Sequence, residues 1–147
     1  MRVEPAQERD LAQMAALLGQ LFAQEAEFRP DPEVQGRALR HLLAHPAEGQ
    51  LLVAREGDEL LGMVSLLWST STALGGPVAW LEDLVVDPAR RGQGVGQALL
   101  DQAIVFGRER GILRITLLTD GDNVRAQTLY ASRGFGPSPM VPMRLML

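Results

Sequence analysis

Three glycines at alternate positions, Gly92, Gly94 and Gly96, stand between an apolar strand and an apolar helix. No other stretch constrains the fold of this chain as tightly. The strand is the run Trp80-Leu81-Glu82-Asp83-Leu84-Val85-Val86, apolar apart from two adjacent carboxylates. Pro88 lacks the N–H that further pairing would need. From Val95 the apolar residues take helical spacing: Val95, Leu99, Ala103 and Phe106 form a stripe, widened by Ala98, Leu100 and Ile104. A glycine turn carries few side chains, so its N–H groups stay open, and the helix behind it adds unpaired N–H groups and a positive dipole end. Such a place binds anions, phosphate above all. Arg90 and Arg91 put cations at its lip. The stretch predicts a phosphorylated ligand held beside a carboxylate-bearing strand.

The competing reading is a bare turn, with glycine chosen for positive φ. Two familiar phosphate loops are excluded. No Gly-Lys-Ser/Thr follows, as a Walker loop requires, and Gln97 stands where the dinucleotide fingerprint starting at Gly92 needs its last glycine.

Composition narrows the classes. The 147 residues suit one domain with a real core, here taken as 1–147. A net charge of −4 argues against general nucleic-acid binding. The absence of cysteine excludes disulfides, thiolate metal sites and a cysteine nucleophile. His41 and His45, the two histidines, cannot alone make a His-rich metal site and read as surface residues, so no metal is expected. Met1-Arg2-Val3-Glu4-Pro5 lacks the apolar core of a signal peptide, and no apolar run is long enough to span a bilayer. The expected location is the cytoplasm, with no membrane partner.

In chain order, residues 1–5 suit a short strand. Leu11, Met14, Leu17, Leu18, Leu21 and Phe22 predict a helix over about Glu8 to Glu27, with Asp10 near its positive end. A second helix follows from about Pro32 to His45. Gln50–Arg55 and Leu60–Ser69 read as a hairpin around Glu56-Gly57-Asp58. Ser69 to Pro77 reads as a loop, and the opening strand as Val78 to Val86. The helix after the glycines runs to about Arg110, where Gly111 suits a C-terminal cap. Ile112–Leu118 reads as a strand, Asp122 or Asn123 as the cap of a helix ending near Ser132, and Met140–Met146 as a last strand. The pattern predicts an α/β fold with a mixed central sheet flanked by helices, its strand–helix–strand unit a parallel crossover.

Arg91-Gly92-Gln93-Gly94-Val95-Gly96 matches the Arg/Gln-x-x-Gly-x-Gly/Ala signature of the GCN5-related N-acetyltransferases (GNAT). Asn123, Ala126, Leu129-Tyr130 and Gly134-Phe135 resemble that family's second motif, and the predicted element order resembles its acyl-CoA N-acyltransferase fold over essentially the whole chain. Leu81-Glu82-Asp83-Leu84 further resembles a small-amine branch that includes polyamine and thialysine acetyltransferases. The resemblance implies acetyl transfer from acetyl-CoA to a primary amine by direct attack, and a homodimer as in many relatives. It implies a pyrophosphate cradle of main-chain N–H groups over Gly92, Gln93, Gly94, Val95, Gly96 and Gln97, with Arg91 beside it. It implies that the Leu84–Val85–Val86 segment binds the pantetheine arm as an added strand, through main-chain groups of Leu84 and Val86. Asn123 and Tyr130 would meet the cofactor from the later helix, with the Leu84 N–H facing the tetrahedral intermediate.

The chemistry needs a free amine, hence a proton acceptor. On a regular strand Trp80, Glu82, Leu84 and Val86 share one face, which puts Glu82 among apolar neighbours and raises its pKa. Glu82 is therefore the expected base. Asp83 replaces it if a bulge reverses the faces, and a water chain replaces both if Glu82 is a structural carboxylate. Tyr130, the one tyrosine, lies seven residues after Asn123 on the same helix face and is the expected acid for the leaving thiolate, a role implied by the resemblance. It reads otherwise as a core aromatic, and Asn123 as a cap. The acidic balance, with Glu82, Asp83, Glu25 and Glu27, suits a cationic acceptor. Three readings stay open: an amine N-acetyltransferase acting on a small molecule or amino acid, a peptide or protein N-acetyltransferase, and a non-catalytic acyl-CoA-binding sensor or subunit.

Overall fold

Alternating apolar residues drive a five-stranded sheet in the computed structural model, which describes residues 1–25 and 27–147. The strands are β1 (Arg2–Pro5), β2 (Gly49–Glu56), β3 (Glu59–Ser71), β4 (Gly76–Val86) and β5 (Ile115–Leu117), and they lie side by side in chain order. Neighbours from β1 to β4 are antiparallel; β4 and β5 are parallel. The helices are α1 (Leu11–Gln24), α2 (Pro32–Ala44), α3 (Val95–Glu109) and α4 (Val124–Ser132). None is long and apolar enough to cross a membrane.

The sheet buries both faces. Leu51, Val53, Leu60, Met63 and Val85 meet Met14, Leu17 and Leu18 of α1 and Leu39 of α2. Leu52, Ala54, Leu61, Val64, Leu66 and Leu81 meet Val95, Leu99, Leu100 and Ala103 of α3, with Leu129 and Tyr130 of α4 packed at the margin. A strand with a period of two supplies both layers at once. Gly62 lets α3 come close: a Cβ there would stand 2.9 Å from Leu99 Cδ1 and 2.7 Å from the Val85 carbonyl.

The expected mixed α/β architecture is the observed one. Boundaries differ where tertiary contacts decide them. The first helix stops at Gln24, and Ala26, inside its expected span, lies outside the described residues. Asp10 stands at the N-cap of α1, at the expected helix start, and is buried there. It is 1% exposed and takes a two-pronged bond from Arg55 (3.0 and 2.7 Å), with Arg55 itself 2% exposed and also bonded to Glu4. Burial raises the Asp10 pKa, but the Arg55 bonds and the Gln7 N–H outweigh it, so the carboxyl sits below its ordinary range. The expected loop over Ser69–Pro77 is mostly strand, since β3 and β4 pair as far as Ser71 and Gly76. The strand expected over Ile112–Leu118 shrinks to Ile115–Leu117. The strand expected over Met140–Met146 does not form: Met143 is 92% exposed, and the segment meets the cleft described below rather than a sheet.

Candidate functional site

The glycine turn is held from both sides. Asp87 Oδ1 accepts from the Ala89 N–H (3.0 Å), capping a 3-10 turn over Pro88–Arg90. Gly92 and Gly94 then take φ of +80° and +81°, values that disfavour any residue with a Cβ. Gly94 is the N-cap of α3 and has no side chain to offer the helix, so the first main-chain bond runs from the Ala98 N–H to the Gly94 carbonyl (3.0 Å). Among the described residues, the N–H groups of Gly92, Gln93, Gly94, Val95, Gly96 and Gln97 find no acceptor. Together they form an open anion cradle at a helix N-terminus. Of the two flanking arginines, Arg90 is drawn off to Glu59 (2.9 Å), while Arg91 is exposed at the lip.

Strand β4 is irregular where its carboxylates stand. Met63 faces Val85 and Ser65 faces Glu82, so Asp83 and Leu84 together oppose Val64. This is a bulge, and Asp83 takes φ of 55°, the one described non-glycine residue with a positive value. The bulge changes which side chains share a face. Leu84 and Val86 now pack with Leu81 against the α3 side, and Val85 is buried on the α1 side. The expected burial of Glu82 beside Leu84 and Val86 is thereby overturned: Glu82 is exposed, and Asp83 is the partly buried carboxylate. Burial pushes the Asp83 pKa up to about 7, helped by the charges of Glu82 and Glu25 and opposed by the Ser65 hydroxyl at 3.5 Å. Val85 does not reach the ligand side with its side chain, because it fills the α1 core opposite Met63.

Beyond this point the sheet opens. β5 pairs with β4 at Ala79, Trp80 and Leu81, and among the described residues β4 beyond Leu81 has a free edge on that side. The Asp87 N–H donates to the Leu61 carbonyl (2.8 Å); by alternation, the main-chain groups of Val86 turn the other way, into the gap. The open part of β4 borders a cleft of about 480 Å³ at Glu82, Asp83 and Leu84. Leu21, Glu25 and Phe28 wall it on one side, Glu82, Asp83 and Leu84 line its base, and Ala126 and Tyr130 of α4 with its N-cap Asn123 complete the lining.

Tyr130 and Asn123 thus meet the β4 carboxylates across one cleft. The Tyr130 ring rests edge-on against Phe135 (5.8 Å between centroids), and burial, with the charge of Glu25, raises its pKa. Asn123 caps α4, its Oδ1 accepting from the Ala126 N–H (3.1 Å), yet it still borders the cleft. Sequence reading missed the cleft's further residues. Asp120 and Asp122 add carboxylates, and Arg144 enters from the C-terminal segment, paired with Glu27 and 5.8 Å from the Phe28 ring centre. Their distance along the chain from β4 hides them. The lining is strongly acidic, and burial with neighbouring carboxylates also raises the pKa of Glu25.

The chain is similar to known proteins. The family model described as "Acetyltransferase (GNAT) family" matches residues 14–135. The chain is 32% identical over 123 residues to an uncharacterized N-acetyltransferase, YhfO, of Bacillus subtilis, covering 82% of this chain and 83% of that protein. It is 35% identical over 115 residues to a mycothiol acetyltransferase of Beutenbergia cavernae, where the match covers 67% of this chain and 38% of the longer relative. The crystal structure of a probable acetyltransferase superposes with a TM-score of 0.86 at 28% identity, covering 100% of this chain and 98% of that one. The match takes in the bulged strand, the glycine turn, α3 and α4, and this chain belongs to the GNAT family of acetyltransferases.

Proposed function

We propose that the chain is an acetyl-CoA-dependent N-acetyltransferase acting on a cationic primary amine of a small molecule. One observation carries the reading: an open N–H cradle and a carboxyl group with a pKa of about 7 flank the same unpaired strand edge. The cradle over Gly92–Gln97, with Arg91 at its lip, suits the pyrophosphate. The free edge of β4 at Leu84 and Val86 suits the amide groups of the pantetheine arm, bound as a strand would be. That path leads the thioester toward Asp83 and Tyr130.

The reaction then needs three proton movements. The ammonium of the acceptor gives one proton to the Asp83 carboxylate, directly or through a water. The free amine attacks the thioester carbon, and the Leu84 N–H donates to the developing oxyanion. The C–S bond breaks as the intermediate collapses; Tyr130 supplies a proton to the leaving thiolate, and the newly acylated nitrogen gives up its second proton to water, from which Tyr130 is reprotonated. Glu82 is exposed, and its charge helps to hold the Asp83 pKa near neutrality, which suits a base working at neutral pH. The acidic lining from Glu25, Glu82, Asp83, Asp120 and Asp122 favours an acceptor with more than one positive charge.

Thiol release from acetyl-CoA, measured over a panel of monoamines, diamines, amino acids and peptides, tests the reading. The expected outcome is turnover with diamines or other polycationic amines. Turnover confined to peptides overturns the small-molecule acceptor. Tight acetyl-CoA binding without turnover on any amine favours a sensor over an enzyme. Tyr130→Phe separates these further: an enzyme loses about tenfold or more in kcat while its acetyl-CoA affinity holds.

A further inference from the structure

Away from the cleft, the last turn of α2 carries a second arrangement of chemical interest. His41 and His45 are four residues apart, so they share a helix face, and their rings stack 4.1 Å apart at 19°. His45 Nδ1 lies 2.7 Å from the His41 carbonyl oxygen. A carbonyl only accepts, so Nδ1 holds the hydrogen and Nε2 keeps its lone pair. A metal-binding histidine is commonly fixed in this way. His41 Nε2 lies 2.9 Å from Glu48 Oε2. The main chain of Glu48 is itself fixed, its N–H bonded to the His45 carbonyl and its carbonyl to the Trp68 N–H, both at 2.9 Å.

One donor atom from each of the three side chains lies within 4.8 Å of the others. Zinc–ligand distances are about 2.0–2.2 Å, so small rotations bring three such atoms onto one ion. The side chains of His41 and Glu48 are about half exposed (52% and 53%) and have room to make them. The negative end of the α2 dipole and the Glu48 charge both favour a cation here. Two histidines alone are too few. Glu48 supplies the missing ligand and is brought to them by the turn between α2 and β2.

We propose that His41, His45 and Glu48 form a surface site for a divalent transition ion of the zinc, copper or nickel kind, with water filling the remaining positions. Ligand softness argues against calcium and magnesium, which want oxygen donors. A bound ion would tie the end of α2 to the start of β2, and so stabilise the fold without touching the cleft.

The test uses the full chain without a histidine tag, stripped with chelator. Zinc titrated calorimetrically should bind at one equivalent and raise the Tm, and cobalt should give visible d–d absorption. His45→Ala and Glu48→Gln should each weaken zinc binding at least about tenfold, with far-UV circular dichroism confirming that both variants fold. Absence of saturable zinc binding overturns the proposal. So does an unchanged affinity in the His41→Ala/His45→Ala double variant, which would assign the ion to the carboxylates of the cleft.

Discussion

At Asp83 a strained backbone, partial burial and two neighbouring charges act on one carboxyl group. Its folded pKa of about 7 lies above the ordinary 3.8, so the folded chain keeps a proton that the unfolded chain has released between those values. Stability contributed by this group therefore falls as pH rises from about 4 to about 7, and above that the full cost of the buried charge is present. Asp83→Asn removes the cost. The variant should match the wild type near pH 4 and exceed it at pH 8, by as much as about 4 kcal/mol for a shift of this size; thermal melts across that range measure the difference. If Asp83 is the base, the same substitution lowers kcat/KM about 10²-fold or more and abolishes a limb near pH 7. Persistence of that limb in Asp83→Asn, and its loss in Glu82→Gln, would return the role to Glu82. A gain in stability with a loss of rate is what a site held in a costly electrostatic state produces.

The glycine turn and β4 show why elements were legible to different degrees. The turn was readable because its requirements are local: Gly92 and Gly94 sit at positive φ, and an apolar stripe follows at once. Gly94→Ala should strain the left-handed N-cap by about 1–2 kcal/mol and weaken acetyl-CoA binding, measurable by calorimetry, while the acceptor KM at saturating acetyl-CoA stays close to wild type. The helices were readable from their period, as Met14, Leu17 and Leu18 or Val95, Leu99 and Ala103 show. The bulge in β4 was not. It is set by pairing with Met63, Val64 and Ser65 of β3, about twenty residues earlier in the chain, and no local pattern in Leu81–Val86 records that register. The C-terminal segment misled for the opposite reason. Its residues Met140–Met146 suit a strand by composition, but pairing needs a neighbour, and Pro142 and Arg144 border the cleft instead.

Across the whole molecule, two cores share one sheet, and a buried charge group ties its first strands to α1. Arg55, in β2, holds Asp10 ahead of α1 and Glu4 of β1. Removing Asp10 leaves the buried Arg55 with Glu4 as its remaining carboxylate partner, so Asp10→Asn should cost up to about 3 kcal/mol, read from denaturant midpoints. The Asp10 pKa is lowered by folding, so the wild type loses this contribution as pH falls below about 4, through the folded pKa, whereas Asp10→Asn has none to lose. Below that range the two should converge.

The short contact between β4 and β5 has a consequence for the energetics of the sheet. Three paired residues close its outer seam, and among the described residues the edge of β4 beyond Leu81 is left open. A ligand that fills this edge with amide groups serves as a sixth strand, so occupancy and folding become linked equilibria. Acetyl-CoA at 100 times its dissociation constant should add about 2.7 kcal/mol to global stability. Amide hydrogen exchange should locate the gain, slowing at Val86 and along the seam while the β1 edge exchanges as before. If the proposed function holds, the cosubstrate would act as a removable strand whose departure reopens the seam after each turnover.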